Sequence, residues 1–157
     1  MWQRGLLMGS ATKFWLLVGL VVGVPLGTGL ALFAYADGLS YLSANPNACA
    51  NCHVMQPNLA AWQASSHRNI AACNDCHTSG GLLNRYAQKA ENGFHHSLAF
   101  TTGNFSEPIR IKQASLMVVL ENCKTCHQPL LEASRFGHPG LGEKNCLHCH
   151  KQTGHRN

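Results

Sequence analysis

The chain has 157 residues, a formal net charge of +5 at pH 7, eight cysteines and ten histidines. This length allows one ordinary domain together with an anchor, and the Gly- and Asn-containing part after residue 36 is too small for a large aliphatic core. Net basic charge can indicate a nucleic acid or an anionic membrane surface as a partner. The twelve lysines and arginines are scattered singly, which argues against a nucleic-acid-binding function.

The first predicted element is a membrane-spanning helix over residues 14–36. No formal charge lies between Lys13 and Asp37, and a helix of that length crosses a hydrocarbon core of about 30 Å with some tilt. The alternative is a secretory signal cleaved after Ala36, because Ala34-Tyr35-Ala36 has the small residues of a cleavage site. The apolar stretch is longer than a usual signal core, so we expect a retained anchor.

Small residues form a stripe on this predicted helix, since Gly19, Gly23 and Gly27 recur every four residues. The spacing permits close helix packing and so predicts self-association or docking against another helix. Glycine is also frequent in membrane helices generally, and that explanation stays open. Pro25 predicts a bend.

Four copies of Cys-x-x-Cys-His follow the anchor and use every cysteine of the chain. The cysteine pairs are Cys49 and Cys52, Cys73 and Cys76, Cys123 and Cys126, and Cys146 and Cys149. Each copy is the attachment sequence of a c-type haem. A disulfide framework or a zinc site would not need a histidine after every second cysteine. We therefore expect four covalently bound haems.

The expected membrane topology follows from this chemistry. Arg4 and Lys13 precede the helix, which suits residues 1–13 as a cytoplasmic N-terminus, although basic residues also follow it. Haem is attached to cysteine outside the cytoplasmic membrane of bacteria. We therefore expect a single-pass protein of the inner membrane with residues 37–157 in the periplasm.

The motifs form two close pairs, and each pair encloses a lone histidine, His67 in the first and His138 in the second. This pattern predicts two two-haem modules, at about 45–80 and 120–157, linked by a helical segment at 81–119. The predicted fold is mainly α with much loop, and its core is largely the haems. Apolar residues at steps of three and four predict an amphipathic helix over 82–100. A second helix is expected over 108–121, with Pro108 in its first turn.

Six histidines lie outside the attachment motifs: His67, His95, His96, His138, His148 and His155. We expect three of these six to be distal iron ligands. Imidazole on both faces of an iron suits electron transfer rather than substrate binding. His148 lies between the cysteines of the last motif and is not expected to be a ligand.

The chain resembles the NapC/NrfH family of membrane-anchored tetrahaem quinol dehydrogenases over essentially its whole length. The resemblance is carried by the N-terminal helix, the four motifs and three sequence segments. These segments are Cys49-Ala-Asn-Cys-His-Val-Met-Gln-Pro57, residues 89–103 from Lys-Ala-Glu-Asn-Gly to Phe-Thr-Thr-Gly, and Cys149-His-Lys-Gln-Thr-Gly-His155. Within the family it is most similar to the small members that feed a pentahaem nitrite reductase.

The resemblance implies that Met55, and not His53, ligates the first iron; ordinary apolar packing of Met55 is the alternative. It also implies His77, His127 and His150 as proximal ligands, with distal ligands drawn from three further histidines. The pairing we expect is His77 with His155, His127 with His138, and His150 with His67.

The resemblance further implies a quinol site near the first haem. Some family members carry an acidic residue seven positions after a lysine; here the lysine is Lys89 and that position is His96. His96 or its neighbour His95 is expected to occupy the sixth position of the first iron or to accept a quinol proton, with Lys89 orienting the quinol. The alternative is that all three are polar surface residues of a helix without a role in quinol binding.

The expected function is oxidation of a membrane quinol, with menaquinol as the first candidate. The electrons are expected to pass to a periplasmic multihaem reductase, with a nitrite reductase as the first candidate. The first motif begins 13 residues after Ala36, so the covalent chain holds the first haem close to the bilayer. Two alternatives remain: a passive anchored electron carrier without a quinol site, and a terminal reductase with an open haem.

Overall fold

The computed structural model of the protein describes residues 9–133 and 145–155. Within these ranges the regular structure is helical and no strand is present, which confirms the predicted fold class. The chain divides into two compact units, Met1–Leu39 and Ser40–Asn157.

The described part of the first unit contains the candidate membrane span, Ser10–Tyr35, of 26 residues. It consists of α1 (Ser10–Val18), a π-helical segment (Gly19–Gly23) and α2 (Val24–Tyr35). The π-helical segment directly precedes Pro25, whose ring would clash with the carbonyl of Val21 in a regular α-helix; the wider turn relieves that clash. Within the described ranges this is the one helix long and apolar enough to cross a membrane.

The second unit contains six α-helices within the described residues, joined by loops and 3₁₀ turns. They are α3 (Pro46–Cys49), α4 (Gln56–Gln63), α5 (Cys73–His77), α6 (Leu82–Thr102), α7 (Gln113–Ala133) and α8 (Cys146–Cys149). A 3₁₀ turn, His53–Met55, precedes α4. The short helices α3, α5 and α8 each contain cysteines of an attachment motif.

The polypeptide core of this unit is very small. In the described residues, Ala50 and Val119 are the only buried apolar residues, and Asn74 and Thr78 are the buried polar ones. Large apolar side chains on α6 stay exposed, with Leu83 at 85% and Phe94 at 65%. A chain that buries so little of itself needs another apolar body to cover these side chains.

Helix α6 confirms the predicted helix over 82–100 and extends it to Thr102. It ends at Gly103, which has φ of 69° and provides the left-handed C-terminal residue that glycine adopts without strain. Gly93 in its middle lies against the ring of Tyr41, and a Cβ at this position would be 3.5 Å from Tyr41 Cε1.

The prediction of a second helix over 108–121 was wrong at both ends, because α7 runs from Gln113 to Ala133. Residues 108–112, Pro-Ile-Arg-Ile-Lys, contain two β-branched isoleucines, which lower helix propensity. The helix continues through the third Cys-x-x-Cys-His motif instead of ending before it.

Candidate haem centres

The attachment motifs take different local conformations. The second motif forms α5 and the third lies within α7, whereas the first begins at the last residue of α3 and the fourth forms α8. Both α3 and α8 are capped by asparagines. Asn45 Oδ1 accepts a hydrogen bond from the backbone N–H of Asn47 at 2.9 Å, and Asn145 Oδ1 accepts one from Leu147 at 2.9 Å. These caps satisfy backbone donors at the helix N-termini, so Asn45 and Asn145 fix the polypeptide just before the first and fourth motifs.

The four motifs are brought together in the order of the chain. The thiol of Cys49 is hydrogen-bonded to that of Cys73, which lowers the pKa of the Cys49 thiol to about 6. Burial raises the pKa of the Cys76 thiol, and the neighbouring Cys126 adds to the rise. Burial also raises the pKa of the Cys123 thiol, and among the neighbouring thiols Cys146 adds most to the rise. These pKa shifts belong to the free thiols and show that successive attachment points are neighbours.

Two pairs of imidazole rings face each other within the second unit. The ring centroids of His77 and His155 are 5.9 Å apart with planes at 6°, and those of His67 and His127 are 6.2 Å apart with planes at 67°. Since a metal–imidazole bond is about 2 Å long, two rings on opposite sides of one ion place their centroids roughly 6 Å apart. Both pairs fit one iron between them.

The structure places one of the expected histidine pairs side by side and brings two other histidines together that were not expected to pair. Binding of an iron by either pair stays a prediction. His77 lies beside His155, as expected. His67 was paired with His150, but its ring instead lies against that of His127, which was paired with His138. His138 lies outside the described residues, and the assignment of His150 therefore stays a prediction.

A hydrogen bond to the backbone fixes the His67 ring in a state that can bind a metal ion. Its Nδ1 lies 3.0 Å from the carbonyl oxygen of Thr153. Because a carbonyl oxygen only accepts, Nδ1 carries the proton and donates it, which leaves the Nε2 lone pair free for a metal ion. A backbone partner of this kind fixes both the tautomer and the ring orientation of a ligand.

The surroundings of His155 also fit a bound group. Its Nδ1 is buried and has no hydrogen-bond partner among the described residues. Beside the ring is a pocket lined by Ala61, Ala64, Ser65 and Gln152. Burial lowers the pKa of both His155 and His77, and for His77 the neighbouring His155 adds to the effect. Low pKa values favour neutral imidazole, which is the form that binds iron.

Met55 and His53 lie on the same 3₁₀ turn after Cys52. The sulfur of half-buried Met55 accepts a hydrogen bond from Asn58 Nδ2 at 3.8 Å, whereas His53 is exposed. Nearby, Gln56 Nε2 donates to the carbonyl of Ala50 at 2.7 Å and ties α4 to the first motif. The choice of Met55 over His53 as ligand of the first iron stays a prediction.

Lys89 lies near the first attachment motif. Its Nζ donates to the carbonyl of Ser43 at 2.8 Å, lies 5.8 Å from the centre of the Tyr86 ring, and its charge contributes to the lowered pKa of the Cys49 thiol. Lysine carries three N–H donors, so this contact with Ser43 leaves two for other partners.

The two candidate histidines of α6 differ in their surroundings. Partial desolvation lowers the pKa of His96, and the charges of Lys112 and His95 lower it further. Both side chains are exposed, and the ring of His95 contacts that of Phe94, with 5.6 Å between the ring centroids. The lowered pKa of His96 favours its neutral form.

Sequence reasoning missed Tyr41, Asn58 and Asn122. Burial raises the pKa of Tyr41, and the thiols of Cys52 and Cys49 add to the rise, so its phenol belongs to the surroundings of the first motif. Proximity to the motif was the only sequence signal for Tyr41. Asn122 immediately precedes Cys123, but no pattern in the sequence reveals that its side chain donates to the backbone carbonyls of Cys76 and Thr78.

Comparisons with known proteins cover most of the chain. A profile of the NapC/NirT cytochrome c family, N-terminal region, matches residues 10–157. The cytochrome c-type protein NrfH of Wolinella succinogenes is 40% identical over 157 residues, covering 93% of this chain and 89% of that protein.

Two further matches differ in extent. The cytochrome c-type protein ImcH of Geobacter sulfurreducens is 32% identical over 79 residues, covering 50% of this chain and 15% of that protein. A chain in a crystal structure of the cytochrome c nitrite reductase NrfHA complex bound to the HQNO inhibitor superposes with a TM-score of 0.65 at 30% identity. That match covers 87% of this chain and 90% of the other.

Proposed function

This chain belongs to the NapC/NirT cytochrome c family, and from that membership we propose that it is a membrane-anchored tetrahaem quinol dehydrogenase that delivers electrons to a periplasmic nitrite reductase. The observation that carries the proposal is the presence of two pairs of facing imidazoles, His77 with His155 and His67 with His127, in a chain with four attachment motifs. The similarity to NrfH and to a chain of the NrfHA complex supports a nitrite reductase as partner.

The residues of the chain fit four haems. Eight cysteines would hold them covalently, His77 and His155 would hold one iron, and His67 and His127 another. This assignment leaves His150 and His138 for the haem of the fourth motif. Bound haems would supply one-electron transfer between the quinol and the partner protein.

For the first haem we retain Met55 as the ligand. A thioether ligand raises the potential of a haem relative to imidazole, which favours acceptance of an electron from a quinol. The hydrogen bond from Asn58 would hold the Met55 sulfur in one orientation and leave its second lone pair for the iron.

Oxidation of a quinol to a quinone releases two electrons and two protons, so the site needs proton acceptors as well as an electron acceptor. Lys89, held in place by Ser43, would donate a hydrogen bond to a quinol oxygen. His96, whose lowered pKa favours the neutral form, would accept a proton. His95 is the alternative acceptor, and the sixth position of the first iron is the alternative role of His96.

The periplasm is the proposed location of residues 37–157, with menaquinol as the first candidate substrate. The single apolar helix found within the described residues, Ser10–Tyr35, supports one membrane span. The small-residue stripe of that helix remains a prediction for self-association.

The direct test is reduction of the purified membrane protein by a water-soluble naphthoquinol, followed by haem absorbance. We expect rapid reduction in the unmodified protein, a rate at least about tenfold lower in Lys89→Ala and in His96→Gln, and no change in the control Arg110→Gln, an exposed residue between α6 and α7. Unchanged rates in both site variants would remove these residues from the mechanism.

Two other outcomes would replace the proposal. Failure of the unmodified protein to accept electrons from any quinol, with rapid reduction by a separate dehydrogenase, would identify a passive carrier. Rapid nitrite reduction by the isolated chain without a partner would identify a terminal reductase.

A further inference from the structure

Asn122 contacts the second haem motif from a distant part of the chain. Its Nδ2 donates to the carbonyl oxygens of Cys76 and Thr78, each at 2.9 Å, although these residues lie 46 and 44 positions away. The two acceptors flank His77. Asparagine has two amide hydrogens, so both donors of Asn122 serve the backbone on either side of one histidine.

The acceptors need such a donor. Helix α5 ends at His77, and the last carbonyls of a helix have no partner within it. Thr78 is buried, with 7% exposure, and its hydroxyl donates to the carbonyl of buried Asn74 at 2.7 Å. Where water is largely excluded, an unpaired carbonyl costs about 1–3 kcal/mol.

Asn122 also lies at the start of the third motif, one residue before Cys123. Helix α7 packs on α5. The thiol of Cys126 adds to the raised pKa of Cys76, and the thiol of Cys76 adds to that of Cys123. A single side chain therefore joins the backbone around His77 to the helix that carries His127.

We propose that Asn122 is a positioning residue for His77. It fixes the backbone on both sides of this ligand, and so sets the orientation of the His77 ring relative to His155 and the position of the second motif relative to the third. This inference rests on the proposed function, in that His77 binds an iron.

The side-chain chemistry makes the proposal specific to an amide. An aspartate at residue 122 has the same shape but no donor, and its charge would face two carbonyl oxygens. A glutamine keeps the donor on a stem longer by one methylene. Alanine removes the contact and leaves both carbonyls unpaired.

The test compares Asn122→Ala, Asn122→Asp and Asn122→Gln with the control Asn84→Ala, whose asparagine is exposed on α6. Mass spectrometry first measures the number of haems attached. Low-spin EPR spectra and potentiometric titration then follow each haem. The signal of the haem bound by His77 is identified as the one that His155→Ala converts to high spin.

We expect Asn122→Ala and Asn122→Asp to shift the g values and the midpoint potential of that one haem, with partial recovery in Asn122→Gln and no change in Asn84→Ala. Should alanine and aspartate prevent folding, a shift confined to the same haem in Asn122→Gln supports the proposal. Unchanged signals in every folded variant, or equal shifts of all haems, would overturn it. Failure of the proposed function would be visible separately, as unmodified protein that carries haem but is not reduced by quinol.

Discussion

The assignment of His67 and His127 to one iron is open to a direct experiment. The ring centroids are 6.2 Å apart, which matches the roughly 6 Å expected for two imidazoles on one ion. The variants are His67→Ala, His127→Ala and the combination of both. Removing one axial ligand leaves a five-coordinate, high-spin iron, which EPR and magnetic circular dichroism distinguish from low-spin iron.

The expected magnitude follows from the number of attachment motifs, which is four. If every motif carries haem, His67→Ala converts one haem of the four to high spin. When both histidines bind the same iron, adding His67→Ala to His127→Ala changes no further haem. When they bind different irons, the double variant has one more altered haem than His127→Ala alone.

This comparison is valid even if His127→Ala prevents attachment of the third haem, which mass spectrometry would show as one haem fewer. His67→Ala would then still alter no additional haem under our assignment. The control is His67→Ala combined with His155→Ala, which removes ligands of two different irons and must alter two haems. A second altered haem on adding His67→Ala to His127→Ala would refute the pairing and restore His150 as the partner of His67.

Three other predictions concern the first haem, helix α6 and the ring planes. If His96 accepts a quinol proton, protonation of His96 slows quinol oxidation at acid pH, and its lowered pKa places this fall below the pH range in which an ordinary imidazole titrates. Steady-state rates against pH should lose this acid limb in His96→Gln, and an unchanged limb contradicts the role. Gly93→Ala should raise the free energy of unfolding by about 0.5–1 kcal/mol, since the added Cβ lies at an ordinary 3.5 Å from Tyr41; a fall in denaturation midpoint would show that this contact is tighter. The low-spin EPR signal of the haem held by His67 and His127, with ring planes at 67°, should be more anisotropic than that of the haem held by His77 and His155, at 6°; the variants above assign the signals, and equal anisotropy argues against these orientations.

A fourth prediction in this group tests Met55. Asn58→Ala removes the hydrogen bond to the Met55 sulfur and should shift the long-wavelength absorption band of a thioether-bound ferric haem. Absence of that band from the unmodified protein would favour His53 as the ligand.

Features encoded by residues close together in the sequence could be predicted from it. Haem attachment needs only five consecutive residues, and a membrane span needs only one unbroken apolar segment. The amphipathic period of residues 82–100 also predicted α6 correctly, because a helix is defined by contacts three and four residues apart. The predicted start of α7 was wrong, because a proline such as Pro108 is a weak signal for a first helical turn when β-branched residues follow it.

Contacts between distant residues were decided by the tertiary structure. His67 donates to Thr153 across 86 positions and faces His127, and Asn122 reaches Cys76 across 46. Ten histidines offer many pairings that local patterns cannot distinguish, since a ligand pair depends on where two loops or helices meet in space. The motifs therefore identify where haem is attached, whereas the packing of α7 on α5 and the position of residues 150–155 determine which histidines face each other.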